Sequence, residues 1–243
     1  MSSGRASGRK ARDVDLLDAL ESLTPEPFDD DVWRIIRGGR DPLQGYPAGA
    51  RWDPPGVFDV LYAALDPDGA HAEVFFHLNR APVFPSRTVY LLHTVRVHTR
   101  KTLRLADMNA LAALKVDTGR YSELDYTRTQ AIGDAAHFLG FDGLIVPSTR
   151  SESRNLILFM DRLDPNDPVV VTKSEPVDWQ AWRTRQARLY SDGQANLTSG
   201  PVPIPAETGP GIPVARRAFS WSARSPISPP DRPKRLARAA ARA

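Results

Sequence analysis

The chain has 243 residues, no cysteine, 22 prolines and a formal net charge of +3 at pH 7. Without thiols there is no disulfide framework and no thiolate chemistry. No apolar run approaches the roughly 20 residues that span a bilayer, and the first residues lack a signal-like apolar stretch. The expectation is therefore a soluble, cytoplasmic protein.

The overall charge conceals a division. Four basic residues fall within 1–12, and eight basic against two acidic residues lie from 200 onward, which leaves −7 on the body between them. An acidic body is not a nucleic-acid-binding domain by composition, so direct nucleic-acid binding is expected only weakly, through the basic ends. Both ends are poor in large apolar side chains and cannot offset their conformational entropy by burial. Residues 1–12 therefore read as a disordered basic N-terminus and 200–243 as a Pro/Arg-rich disordered basic tail. Residues 13–199 remain as one domain, long enough for a substantial core.

In chain order, 13–23 carries apolar residues at helical spacing, and Thr24-Pro25 with Pro27 ends it. A short strand is expected at 32–36, followed by a loop rich in Gly and Pro, whose glycines let the backbone approach a ligand closely. A strand is expected at 57–64, then a helix at 68–79 announced by Asp66-Pro67-Asp68. On that helix Glu73 and His77 stand four apart and share a face, with Val74 and Leu78 on the neighbouring stripe toward the core. Residues 88–98 alternate and are rich in β-branched side chains, the strongest strand signal in the chain; 102–105 is a second strand or its extension. Helices are expected at 107–115 and at 124–140, the latter closed by Gly140. Three more strands follow, at L-I-V-P-S (144–148), 155–160 and 168–173, and then an amphipathic helix at 177–189. Strands with interspersed helices in no strict alternation imply an α+β fold with a mixed or antiparallel sheet core and short helices.

Several residues carry chemistry in this pattern. Glu73 lies mid-helix between apolar flanks with His77 on its face, an awkward place for an acid unless it is exposed or paired. A buried carboxylate beside arginines is what stabilising a cationic sugar transition state requires. Arg34 alternates with Trp33 and Ile35 and points either to solvent or to a site. Arg51 follows a glycine loop, where guanidinium groups meet phosphates bidentately. Trp52 and Tyr62 are each core residues or ring-stacking ones, and Ser148 at a strand end caps a turn or bonds a ligand. The five histidines show no zinc-ligand spacing, and no Walker loop, G-x-G-x-x-G or G-x-S-x-G is present.

Together these residues resemble the RES domain family, named for an arginine, a glutamate and a serine. The matching pieces are Trp33-Arg34, Gly49-Ala50-Arg51-Trp52-Asp53, Leu61-Tyr62, Glu73-Val74 with His77, and Val146-Pro147-Ser148. The passage Q-A-I-G-D-A-A-H-F-L-G-F-D-G-L-I-V-P-S (130–148) also looks like the family's approach to its serine. The resemblance covers roughly 30–175. It implies an ADP-ribosyltransferase-like fold and a toxin of toxin–antitoxin pairs that cleaves the nicotinamide–ribose bond of NAD, with water or inorganic phosphate as acceptor. An Xre-like helix-turn-helix antitoxin is the implied partner.

By the same resemblance Arg34 and Arg51 hold the phosphates and ribose, and Glu73 stabilises the ribosyl cation or orients the nucleophile. Tyr62 packs on the nicotinamide or ribose, Ser148 bonds the substrate, and Trp52 and His77 complete the binding wall. Glycosyl transfer implies no metal and no redox cofactor. Protein ADP-ribosylation and a non-catalytic interaction module are the alternatives. Two departures stand out: Ala50 replaces a glycine and Asp53 an asparagine. Asp53 is expected to weaken anion binding unless an arginine pairs with it.

Overall fold

A computed structural model describes residues 11–198 except Val83 and Ser86. The expectations for 1–10 and for the tail from 199 onward lie outside the described residues. Arg12, assigned above to the basic end, belongs to the folded body: its Nε lies 2.7 Å from Asp134 and its guanidinium sits over the Phe138 ring.

Helix α1 spans Val14–Glu21, is N-capped by Asp13, and buries Leu16 and Leu20, four apart, on one stripe. Strand β1 runs Glu26–Arg37, six residues earlier than the apolar run alone suggests. Its acidic start is strand because it pairs antiparallel with β3 (Tyr90–Arg104) from Phe28 opposite Thr99 to Arg37 opposite Tyr90. Arg96 of β3 answers the aspartates, with Nη2 donating to Asp29 Oδ1 at 2.6 Å. Pro27 sits at the register break between Glu26 and Phe28, where no ladder N–H is required.

Strand β2 is Val60–Ala64, and Val57-Phe58 belongs to the turn before it. Helix α2, Pro67–Asn79, starts as expected: the Asp66 carboxylate accepts from Gly69 N–H at 2.6 Å, and Pro67 takes the first turn. Val74 packs toward the core, while the fully buried residues of α2 are Gly69, Ala70 and His71. β3 is a single strand of 15 residues, so 102–105 is an extension. Helix α3 (Met108–Ala113) and a 3₁₀ turn (Thr118–Arg120) lead to α4 (Thr127–Phe138). Asp125 accepts from Thr127 N–H, which delays the start of α4, and Gly140 follows its end at φ +80°. Strands β4 (Gly143–Pro147), β5 (Arg154–Phe159) and β6 (Val169–Pro176) precede α5, Trp179–Thr198.

The six strands form one mixed sheet in the order β1-β2-β5-β4-β3-β6, and β1 also pairs with β3, so the sheet curls back on itself. Among the described residues only β3–β4 is parallel. The expected α+β class with a mixed sheet is the one observed. β4 and β5 are covered on both faces. Leu144, Val146, Ile157 and Phe159 pack with α1, α4 and Trp52, while Ile145, Leu156 and Leu158 pack with Val32, Val95 and Val97. Two buried faces explain why these strands read as unbroken apolar runs. Each such leucine or isoleucine stabilises the fold by about 1.5–3 kcal/mol relative to exposure. No helix among the described residues is long and apolar enough to cross a membrane.

His71 anchors α2 to α5. It stacks on Trp182 at 5.6 Å, and its Nδ1 lies 2.7 Å from the Pro67 carbonyl. Desolvation holds His71 and His93 below the ordinary histidine pKa. Their folded values lie below the unfolded ones, so the stability they contribute is present above about pH 6.5 and is lost as pH falls through the folded values. The urea midpoint should therefore fall from pH 7.5 to 5.5, above the range of most carboxylates. The His71→Phe chain should lose less over that interval; an equal loss would place the sensitivity elsewhere.

Candidate active site

The pieces set apart in sequence meet at a cavity of about 390 Å³ between β1, α2, the 50–52 turn and the β4–β5 end of the sheet. Its size falls in the range of small-molecule sites.

α2 supplies Glu73. Its Oε1 accepts from the Ser148 hydroxyl at 2.7 Å and from Asn155 Nδ2 at 2.8 Å. Oε2 makes no hydrogen bond among the described residues. Antiparallel pairing of Val146 with Asn155 brings the end of β4 and the start of β5 to the same place. Ser148 is 7% exposed and committed to this arrangement, since it also accepts from Arg150 N–H at 3.0 Å. Asn155 lines the cavity, and its Oδ1 is buried without a partner among the described residues.

The turn carrying Arg51 is pinned from beneath. Asp53, fully buried, accepts from Gly49 N–H (2.8 Å), Ala50 N–H (3.1 Å) and the Tyr62 hydroxyl (2.7 Å). Trp52 N–H donates to Tyr62 Oη at 2.9 Å, and Gln130 of α4 donates to the Ala50 carbonyl at 2.8 Å. Gly49 takes φ +72°, which glycine allows without strain. Asp53 pairs with no arginine among the described residues; its carboxylate instead holds the turn together, a structural role the sequence reading did not assign it. Burial pushes its carboxyl pKa up against the three hydrogen bonds, and burial beside it raises the Tyr62 phenol well above the ordinary tyrosine value.

Arg51 itself lies between the rings of Tyr121 and Tyr126, 4.8 and 4.6 Å from their centroids, and donates to the Glu123 carbonyl at 3.0 Å. Trp52 is 2% exposed and belongs chiefly to the main core. Arg34 lies on the β1 wall. One Nη donates to the Gln44 carbonyl at 3.4 Å, and the other is buried with no partner among the described residues. Desolvation lowers its pKa, opposed by Tyr46 and Asp41. His77 stands exposed at the rim; desolvation lowers its pKa, Glu73 raises it, and Arg150 and Arg80 lower it further.

The structure thus brings Arg34, Arg51, Trp52, Tyr62, Glu73 and His77 to one cavity, with Ser148 directly behind Glu73. Three contributors escaped the sequence reading: Tyr126, Asn155 and Arg150. Arg150 stands over the Phe76 ring at 3.4 Å. The charged walls hold three arginines against one carboxylate, an environment for an anion that contains a centre of developing positive charge.

The RES domain family model matches residues 31–180. The NAD(+) phosphorylase MbcT of Mycobacterium tuberculosis and that of Mycobacterium bovis are each 28% identical over 144 residues, covering 57% of this chain and 77% of theirs. The crystal structure of the M. tuberculosis MbcT–MbcA toxin–antitoxin complex contains a chain of similar fold, with a TM-score of 0.65 and 23% identity, covering 73% of this chain and 100% of that one.

Proposed function

This chain belongs to the RES domain family, and from that premise we propose that it consumes NAD by cleaving the nicotinamide–ribose bond, with inorganic phosphate or water as acceptor. The observation that carries this reading is the Glu73 carboxylate, held by Ser148 and Asn155 on one oxygen and open on the other, in a cavity otherwise charged by arginines. As the C–N bond breaks, its electron pair leaves with nicotinamide and positive charge develops at the ribose C1′. A fixed carboxylate lowers the energy of that state, as in glycoside cleavage.

Arg34 and Arg51 take the diphosphate, using the fork geometry of guanidinium. Ser148 and Asn155 position Glu73. Tyr62 shapes the wall, its hydroxyl being spent on Asp53 and Trp52, and His77 borders the entrance. The departing nicotinamide leaves as a neutral ring, so the reaction needs neither a metal nor a redox cofactor. The reading extends to a cytoplasmic location, where NAD is at hand, and to an antitoxin of the helix-turn-helix kind as partner; the likeness in fold to a chain of a toxin–antitoxin complex supports the partner.

Release of free nicotinamide from NAD by the purified full-length chain tests the proposal; NAD left intact at micromolar enzyme would sink it. Ser148→Ala and Asn155→Ala each remove one hydrogen bond to a charged group, about 1.5–3 kcal/mol, so kcat should fall roughly 10- to 100-fold. Both act through Glu73, so the double variant should lose less than the product of the two. Multiplicative losses would mean that they act separately.

A further inference from the structure

The three arginines of the cavity are not equivalent. Arg34 gives one Nη to the Gln44 carbonyl, keeps the other buried without a partner among the described residues, and has Asp41 and Tyr46 as its charged and polar surroundings. Arg51 is clamped between two tyrosine rings and a backbone carbonyl. Arg150 lines the cavity together with Glu73 and His77, and its charge acts on both. Its guanidinium plane rests on Phe76, and no hydrogen bond from that guanidinium joins any described residue. Its backbone N–H meanwhile holds Ser148, the residue that holds Glu73. The result is a fork of donors fixed in place, unspent, beside the catalytic carboxylate.

A phosphate that attacks the ribose C1′ must come close to that carboxylate. At 4 Å two like unit charges repel by about 4 kcal/mol at an effective dielectric near 20. Without a cation between them the anionic nucleophile is excluded and neutral water is favoured. A guanidinium has the donor geometry for a phosphate's oxygens.

Resting on the NAD-cleaving reading above, we infer that Arg150 is the binding residue for inorganic phosphate as second substrate, and that it sets the choice between phosphorolysis and hydrolysis. In the step it serves, a hydrogen phosphate oxygen forms a bond to ribose C1′ while the C1′–nitrogen bond breaks. The electron pair goes to the nicotinamide nitrogen, and the phosphate proton passes to solvent. The products are nicotinamide and ADP-ribose phosphorylated at the former glycosidic carbon.

Initial rates with NAD and inorganic phosphate varied independently test this on the full-length chain, Arg150→Ala and Arg150→Lys, each checked for an unchanged melting curve. Losing charge-assisted hydrogen bonds should raise the KM for phosphate about tenfold or more in Arg150→Ala, and less in Arg150→Lys, which keeps charge without the fork. The KM for NAD should move by less than about threefold, the two remaining arginines still holding its diphosphate. The product should shift from phosphorylated ADP-ribose to ADP-ribose.

An unchanged KM for phosphate overturns the inference, as does a KM for NAD that rises equally, which would place Arg150 on NAD itself. A parent chain that makes only ADP-ribose at any phosphate concentration also overturns it, while leaving NAD cleavage intact. If the parent does not cleave NAD at all, the function proposed above fails. Calorimetric titration with inorganic phosphate then decides the inference by itself: binding by the parent that Arg150→Ala or Arg150→Gln loses supports it, and equal or absent binding overturns it.

Discussion

Glu73→Gln should leave the melting temperature nearly unchanged and lower nicotinamide release by about 10³-fold, the equivalent of roughly 4 kcal/mol of lost charge stabilisation. The substitution is a clean probe because glutamine keeps the shape. Its carbonyl oxygen can still accept from Ser148 and Asn155, as Glu73 Oε1 does at 2.7 and 2.8 Å. What disappears is the negative charge opposite the developing cation. If activity stays within tenfold of the parent, the carboxylate is not stabilising the transition state and the assigned chemistry is wrong. If the protein unfolds instead, Glu73 serves the fold rather than the reaction.

The second large effect is on stability. A Cβ added at Gly133 would stand 1.8 Å from the Trp52 carbonyl oxygen and 2.9 Å from the Trp52 carbonyl carbon. In an isolated helix, alanine in place of glycine gains about 1 kcal/mol. Here that gain is overwhelmed, since the clash is with backbone and no side chain can swing aside. α4 must retreat from the 50–52 turn, at a cost at the upper end of the roughly 1–3 kcal/mol of overpacking or beyond it. Gln130, one turn earlier on α4, would then lose its hold on the Ala50 carbonyl, and Arg51 would move with the turn. Gly133→Ala should therefore lower the urea midpoint and NAD turnover together. An unchanged midpoint would show that α4 does not press on the turn as described.

These two residues differ in how far the chain announces them. Glu73 is legible: an acid among apolar neighbours on a helix whose start is signalled by Asp66 and Pro67. Gly133 is not, because its importance comes from a backbone carbonyl 81 positions away. The same contrast runs through the fold. Strands β4 and β5 are readable as apolar runs. The acidic start of β1 is not, since Asp29–Asp31 become strand only by pairing with β3 and meeting Arg96. The structural role of Asp53 is hidden for a related reason. Two of its donors are backbone N–H groups and the third is a tyrosine nine residues on, so its surroundings exist only once the turn has closed. Arg150 and Asn155 lay in plain view within V-P-S-T-R and N-L-I-L-F-M. Their place in the site depends on β4 pairing with β5, Val146 opposite Asn155, which brings Asn155 to Glu73 and leaves Arg150 on the wall of the same cavity.

The site therefore stands on a division of labour. A buried turn presents Arg51, a strand presents Arg34, and a hydrogen-bonded pair fixes one oxygen of Glu73 while the other remains open. Each part is separable by substitution, and the losses should appear in different constants: KM for NAD at Arg34 and Arg51, kcat at Glu73, Ser148 and Asn155.

The reaction is defined by which bond is broken. Cleavage of the nicotinamide–ribose bond is tested most directly by mass spectrometry of every product formed when the full-length chain is incubated with NAD and inorganic phosphate. Nicotinamide should appear in equal amount to the NAD lost, with the remainder recovered as ADP-ribose or its phosphorylated form and the diphosphate intact. AMP among the products, ADP-ribose attached to protein in place of a free product, or NAD recovered unchanged would contradict it.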